Sequence, residues 1–266
     1  MKKLIALSLL ALFAGLAQPA SASGFSSSSG SEAEQPHFKP EEIIHFAKKV
    51  EKALAEKGAY VAIVGRMGRP PSELPEGLHF THVAFAVYSR ITTSDGKVVP
   101  GYQMYNLYQE DAHPDVSDLV KDFPVDFFSG VAELQAGVII PSPELQKRLL
   151  ETIESPTYEK LHDSRYSVIA NPYTLGRQNC TEFVLDVTNS AIYHTDDIGK
   201  LKEIDRKYFV AQKVNVSPLK LLLGSMFSSE VSTSDQEGAP VTATFETIGD
   251  YLKKYDSGSQ EFIVNP

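Results

Sequence analysis

The stretch RQNCTEFVLD, residues 177–186, contains the one cysteine of the chain, Cys180, at the point where an apolar helical pattern begins. A turn marked by Pro172 and Gly176 precedes this pattern. Backbone N–H groups at a helix start favour a thiolate, which is the nucleophilic form of cysteine. A lone cysteine is also commonly a small buried hydrophobic residue. The stretch therefore predicts a helix that begins near Cys180 and carries either a nucleophile or a core thiol.

Two apolar runs upstream of this helix predict a β-hairpin. The runs cover residues 80–88 and 101–108, and the dipeptide Asp95-Gly96 between them is a strong turn signal. A hairpin centred near Asp95 pairs position 82 with position 108, and position 84 with position 106. Side chains two residues apart share a face of a sheet, so this register fixes which polar residues can meet.

His82 and Asn106 lie on one face in this register and complete a candidate site with Cys180. A thiol hydrolase needs an ionisable thiol, a base in reach of the thiol, and a polar group that orients the base. His82 is the candidate base and Asn106 the candidate orienting group. Each also has a structural interpretation, as a rim histidine and a strand-edge asparagine, and a slip of one residue would replace Asn106.

Two amides, Gln178 and Asn179, directly precede the cysteine. Their side chains are candidates for stabilising an oxyanion. They are equally candidates for capping the helix that follows, and Asn179 is well placed as its N-cap. Further upstream, residues 65–71 contain two glycines and two arginines, which could hold an anion. Because this segment lacks a phosphate-loop pattern, we predict a surface turn there.

The first 22 residues predict a secretory signal peptide. Lys2 and Lys3 precede an uncharged apolar stretch, and residues 20–22 form an A-x-A cleavage site. Removing the two lysines changes the formal net charge from −9 to −11, which argues against a nucleic-acid partner. No later stretch predicts a membrane span, and the histidines have no metal-ligand spacing. We therefore predict neither a metal nor another cofactor.

The remaining chain predicts one α+β domain. Residues 23–38 are rich in Ser, Gly and Glu and predict a disordered leader, and residues 39–262 are long enough for one core. The predicted strands cluster in the first half and the predicted helices in the second, which favours α+β over alternating units. The predictions in the second half include a leucine-rich helix at residues 218–227, a strand at residues 241–245 and a helix at residues 248–255.

The chain resembles circularly permuted members of the papain-like NlpC superfamily. The resemblance rests on the order of two motifs, THVAFAV at residues 81–87 and NCTEFV at residues 179–184. The segments YSVIANPY, residues 166–173, and RQN, residues 177–179, are similar to the bacterial domain-of-unknown-function family numbered 2145. The resemblance implies a papain-like antiparallel sheet with packed helices over residues 40–260.

The resemblance also implies roles for three residues: Cys180 as nucleophile, His82 as base and Asn106 as orienting group. The expected function is an exported bacterial thiol hydrolase or acyltransferase acting on an amide, ester or thioester. Its substrate would be a small molecule, a peptide or an acyl compound. The alternative is a non-catalytic periplasmic binding or envelope-assembly protein that keeps the fold. Two features motivate this alternative: the family pattern admits serine at the Cys180 position, and no glutamine precedes Cys180 at the papain-like oxyanion spacing.

Overall fold

The computed structural model describes residues 37–71, 74, 77–110, 113–214 and 232–266. It has a mixed α/β architecture, in agreement with the predicted α+β class. The predicted signal peptide, most of the predicted leader and the leucine-rich helix predicted at residues 218–227 lie outside the described residues. In chain order, the elements are α1 (Pro40–Glu56), β1 (Val61–Met67), β2 (His82–Thr92), β3 (Val98–Gln109), β4 (Ser117–Asp122), α2 (Pro124–Phe127), β5 (Glu133–Ile140), α3 (Pro143–Ile153), α4 (Pro156–Lys160), α5 (Cys180–Tyr193), α6 (Ile198–Tyr208), β6 (Gln212–Lys213), β7 (Val241–Thr242), α7 (Phe245–Tyr255) and β8 (Gln260–Val264).

A six-stranded antiparallel sheet with the order β4-β3-β2-β1-β5-β8 organises the structure. In the β2–β3 hairpin, Phe85 pairs with Tyr105 and Thr92 with Val98, which is the predicted register. The turn includes Gly96, whose φ of 80° is accessible to glycine at little cost. The sequence-based hairpin and its register are therefore confirmed.

Alternating side chains of the sheet pack into two separate cores. Strand residues point to opposite faces in turn, so each core receives every second residue. We call one side the α5 face, because its strand residues pack in one core with α5. We call the other side the α1 face, because its strand residues pack with α1. The α5 face includes Val61, Ile63, Val83, Phe85 and Leu107, whereas the α1 face includes Ala62, Val64, Ala84, Ala86 and Met104.

Two glycines allow aromatic rings to lie directly on the α5 face. Gly65 and Gly137 pair across β1 and β5. The rings of Phe80 and Phe245 cover them, with centroids 4.8 Å apart. A Cβ atom at Gly137 would lie 2.6 Å from the Phe80 ring and 2.7 Å from the Phe245 ring. The absence of side chains at both positions therefore lets the N-terminus of α7 approach the sheet.

Several local predictions differ from the structure. The strand predicted at residues 241–245 ends at Thr242, and Phe245 instead begins α7, where Thr244 is the N-cap and accepts from the Thr247 N–H. The strands β4 and β8 had not been predicted. The β4 sequence SDLVKD carries three charges, and the apolar residues Phe262, Ile263 and Val264 of β8 are consecutive, so neither strand shows the alternation that predicts a half-buried strand. None of the described helices is long and apolar enough to cross a membrane.

We predict that Gly137→Ala lowers the free energy of unfolding by about 1–3 kcal/mol, because the added methyl group overpacks the Phe80 and Phe245 rings. Gly238→Ala is the matched control, since no atom lies within 4 Å of its added Cβ. Urea denaturation of both variants measures the difference. Equal stability of Gly137→Ala and the wild type would show that the rings do not depend on this glycine.

Candidate functional site

Four side chains on the α1 face form a continuous buried hydrogen-bond chain. His82 Nε2 lies 3.0 Å from Asn106 Oδ1. Asn106 Nδ2 donates to Asp122 Oδ1 at 2.8 Å, and Tyr108 OH donates to Asp122 Oδ2 at 2.9 Å. His82 and Asn106 are both fully buried. The structure therefore brings together the two predicted residues His82 and Asn106, and adds Asp122 and Tyr108, which the sequence analysis missed.

The orientation of Asn106 determines which nitrogen of His82 carries the proton. The Asp122 carboxylate accepts hydrogen bonds, so it must face the amide nitrogen of Asn106. The amide oxygen then faces His82 and accepts from Nε2–H, which fixes the neutral ring as the Nε2–H tautomer. His82 Nδ1 is left with a free lone pair and is buried without a hydrogen-bond partner. This atom can accept a proton.

The surroundings of His82 keep its ring neutral and fixed in position. Burial lowers the pKa of His82 well below its ordinary value, and the nearby charge of Arg66 lowers the pKa further, while the Asn106 hydrogen bond opposes both. The ring stacks on Tyr108 with centroids 4.8 Å apart and also lies 5.5 Å from the Phe127 ring. At neutral pH the imidazole is therefore an uncharged base in a rigid aromatic frame.

Asp122 is the member of this hydrogen-bond chain that titrates near neutrality. Burial raises the pKa of Asp122 to about 7, although the hydrogen bond from Tyr108, the charge of Arg66 and the hydrogen bond from Asn106 each favour the ionised form. Ionised Asp122 is the form that holds the Asn106 amide in the orientation described above. The Asp122 carboxylate therefore orients the Asn106 amide, and this amide in turn fixes the tautomer of His82.

Cys180 is the first residue of α5 and is buried on the α5 face of the sheet. The backbone N–H groups of Val83 and Thr181 donate toward its thiol, and the second of these belongs to the predicted helix start. Burial nevertheless outweighs these donors and raises the pKa of Cys180 to about 11. The expected preference for the thiolate is thus reversed in this conformation, because the thiol is 4% exposed.

The thiol lies near the backbone of β2 next to His82, but the thiol and the imidazole belong to opposite faces of the sheet. Val83, whose N–H points to the thiol, packs with Cys180 in one core. Its neighbour His82 points the other way and packs against Phe127. No hydrogen bond joins Cys180 to the His82 ring among the residues that the structure describes. The structure therefore places the third predicted residue beside the backbone of His82 rather than against its ring.

The two amides before Cys180 serve the local structure. Asn179 is the N-cap of α5, since its Oδ1 accepts from Glu182 N at 2.9 Å and its Nδ2 donates to Val168 O. Gln178 Oε1 accepts from Asp163 N, and its Nε2 donates to Leu161 O and to Asp186. Of the two alternatives for Asn179, the structure shows the helix cap. Neither amide is free to act on an oxyanion in this conformation.

A buried ionic network holds the helix that carries the thiol. Lys202 Nζ of α6 lies 2.6 Å from Glu182 Oε1 and 2.8 Å from Asp186 Oδ1, both on α5. Asp186 also accepts from Gln178, two residues before Cys180. All three charged groups are buried, so removing one partner would leave the others uncompensated. The network therefore fixes the start of α5 against α6.

Arg66 is the functional candidate that the sequence analysis placed wrongly. The surface turn predicted at residues 65–71 begins inside β1, and Arg66 is a fully buried strand residue. It pairs directly with His82 across β1 and β2, and its Nη1 donates to Phe127 O at 2.8 Å. The adjacent β-rich run at residues 60–64 was the available signal, because its strand pattern could have been extended to include Arg66. Within the described ranges, no cluster of His, Cys, Asp or Glu side chains could hold a metal ion.

We predict that iodoacetamide labels Cys180 more than about 100-fold more slowly in the folded chain than in urea at pH 8. A thiol of pKa about 11 is far less ionised at this pH than a free thiol of pKa about 8.5, and burial slows access further. Because Cys180 is the one cysteine, intact-protein mass spectrometry reports this site alone. Equal labelling rates in the two states would contradict a buried, protonated thiol.

The comparisons with known proteins identify a family. A family model described as "Uncharacterized protein conserved in bacteria (DUF2145)" matches residues 53–252, a segment that includes Arg66, His82, Asn106 and Cys180. No curated protein and no solved structure matches the sequence. The predicted similarity to the family numbered 2145 is therefore confirmed, and the chain belongs to this DUF2145 family of bacterial proteins.

Proposed function

We propose that this chain is an exported thiol hydrolase or acyltransferase, with Cys180 as nucleophile, His82 as base and Asn106 as orienting group. The observation that carries the proposal is the buried chain from Asp122 through Asn106 to His82 Nε2. These hydrogen bonds leave His82 Nδ1 as an unprotonated, unpartnered base, on a strand whose next residue, Val83, donates its backbone N–H to the thiol that begins α5. A general base held in one tautomer by a third polar group is what thiol catalysis requires.

The reaction proceeds from a neutral pair of groups. The shifts described above leave the thiol protonated and the imidazole uncharged at neutral pH. The S–H proton of Cys180 moves to His82 Nδ1 as Sγ attacks the carbonyl carbon, and His82 then gives this proton to the leaving amine, alcohol or thiol. Water, or an acceptor alcohol or amine, attacks the resulting thioester and regenerates the thiol. The reaction requires Sγ and Nδ1 to come within about 3–4 Å, so one of the two side chains must leave the face of the sheet that it occupies in this conformation.

A papain-like permuted fold and export are parts of the same proposal. Support for the fold comes from the chain order of His82, Asn106 and Cys180 and from the antiparallel sheet with packed helices. Support for export to the periplasm or the medium comes from the charged start, the apolar stretch and the cleavage site within residues 1–22. The substrate is an amide, ester or thioester.

A non-catalytic binding or envelope-assembly protein is the second candidate. The observation that favours it is the burial of an uncharged Cys180 thiol on the opposite face of the sheet from the His82 ring. In this case the hydrogen bonds that link His82, Asn106 and Asp122 specify the packing of the α1 face, and this face holds a ligand. The Cys180 thiol is then a core residue. The two candidates differ in whether Cys180 forms a covalent bond.

We predict that the wild-type chain releases p-nitrophenolate from p-nitrophenyl acetate and forms an acetyl adduct on Cys180. Cys180→Ala abolishes both signals, because it removes the attacking sulfur. His82→Gln reduces the rate about 10²–10⁴-fold, because it removes the base. His79→Gln is the matched control, since His79 is exposed and bonds to Gln135. An absorbance assay and intact-protein mass spectrometry measure the two signals.

The binding candidate predicts a different pattern in the same assay. Ester turnover would then be equal in the wild type, Cys180→Ala and His82→Gln, and no adduct would form on Cys180. That pattern, with all variants folded by circular dichroism, would rule out the hydrolase proposal.

A further inference from the structure

Arg66 is a buried cation whose hydrogen-bonding capacity is largely unused. Its side chain is fully buried, and its Nη1 donates to Phe127 O at 2.8 Å. Its Nε and Nη2 have no hydrogen-bond partner, and none of the ion pairs among the described residues includes it. Buried polar groups are normally paired, so the free donors of Arg66 call for a physical explanation.

The two free donors of Arg66 lie on the same edge of the guanidinium group. Nε–H and Nη2–H point in parallel in a planar fork, and this edge matches the two oxygens of a carboxylate. The occupied donor, Nη1, is on the other side of the group and is held by the Phe127 carbonyl. Protein contacts therefore anchor one side of the guanidinium, whereas the two donors of its bidentate edge are buried without a hydrogen-bond partner.

The free edge belongs to the same frame as the free nitrogen of His82. Arg66 and His82 are directly paired across β1 and β2, so their side chains leave the sheet on the same face. The Arg66 Cζ atom is 5.8 Å from the centroid of the Tyr108 ring and 5.3 Å from that of Phe127, and the same two rings flank His82. His82 Nδ1 is also unpartnered. Three unsatisfied atoms thus lie within one aromatic frame.

The negative charges near Arg66 are committed to other partners. Both oxygens of Asp122 accept hydrogen bonds, from Asn106 and Tyr108. The charge of Asp126 in α2 raises the pKa of Asp122 and of Tyr108, and its carboxylate accepts a hydrogen bond from Phe123 N. On the opposite face, Cys180 is protonated at neutral pH. None of these groups contacts the Arg66 guanidinium as a counter-ion among the described residues.

We propose that the unpaired edge of Arg66 binds a carboxylate group of the natural ligand, next to His82. The carboxylate accepts two parallel hydrogen bonds from Nε–H and Nη2–H and supplies the contacting counter-ion that the described residues do not provide. This binding site does not depend on the reaction proposed for Cys180. If that reaction occurs, the proposal assigns the substrate to acidic compounds with a carboxylate close to the bond that is cleaved.

The test compares butyrate with butyramide, which has nearly the same shape but no charge, on the full wild-type chain. Butyrate is expected to bind with a Kd on the order of 1–10 mM, as one bidentate pair allows, and to raise the unfolding temperature. Butyramide is expected to bind at least about 10-fold more weakly. Because neither probe is turned over, this result is independent of the activity of Cys180.

A second readout locates the bound anion. The charge of Arg66 lowers the pKa of His82, so a bound carboxylate that offsets this charge raises the pKa of His82. NMR titration of the His82 imidazole with and without butyrate measures this change. Arg66→Met removes the binding, whereas Arg66→Lys keeps the charge but loses the fork and retains only weak binding. The wild-type comparison decides the proposal even where a variant fails to fold.

Each contrary result overturns the proposal. No butyrate binding, or equal binding of butyramide, would show that Arg66 is a packed structural cation. Butyrate binding that leaves the pKa of His82 unchanged, or that survives in folded Arg66→Met, would place the anion elsewhere. Binding of inorganic phosphate with no binding of butyrate would assign the edge to a phosphate rather than a carboxylate.

Discussion

The register between β2 and β3 is the constraint on which the buried polar site depends. It places His82, Asn106 and Tyr108 on one face, and β4 adds Asp122 to the same face through its pairing with Met104. A shift of β3 by one residue would move Asn106 and Tyr108 to the opposite core, away from His82. The hairpin turn at Gly96 and the apolar residues that alternate along both strands hold this register in place.

Burial has opposite consequences for the two halves of the candidate site. On the α1 face, desolvation keeps His82 neutral, and Asn106 determines its tautomer, so burial creates a usable base. On the α5 face, desolvation keeps the Cys180 thiol protonated in spite of the backbone donors around it. The helix dipole contributes at most about 1–2 kcal/mol at such a position, which is less than the cost of burying an unpaired charge. Any chemistry at Cys180 therefore involves a proton transfer rather than a preformed ion pair.

The parts of the structure that follow from local patterns could be predicted from the sequence. The alternation in residues 80–88 and the Asp95-Gly96 turn gave the hairpin, its register and the contact between His82 and Asn106. The N-cap role of Asn179 followed from its position before a helical pattern. The parts that depend on distant segments could not be predicted in this way. Arg66 is buried because Phe127 and Tyr108 cover it. No local sequence pattern predicts that a charged residue will be covered by distant aromatic side chains. Asp122 lies on β4, whose charged sequence does not predict a strand, so its pairing with β3 could not be predicted either.

Ionised Asp122, through Asn106, holds His82 as a neutral Nε2–H tautomer with a free Nδ1. Long-range ¹H–¹⁵N correlation NMR on the ¹⁵N-labelled chain measures this tautomer directly, because the two ring nitrogens give distinct shifts when only one is protonated. The spectrum is recorded well above the Asp122 pKa of about 7, where that carboxylate is ionised. We predict a protonated Nε2 and an unprotonated Nδ1 for His82, and loss of this single-tautomer pattern in Asn106→Ala. A His82 ring that carries its proton on Nδ1, or on both nitrogens, would show that Asp122 and Asn106 do not fix the tautomer.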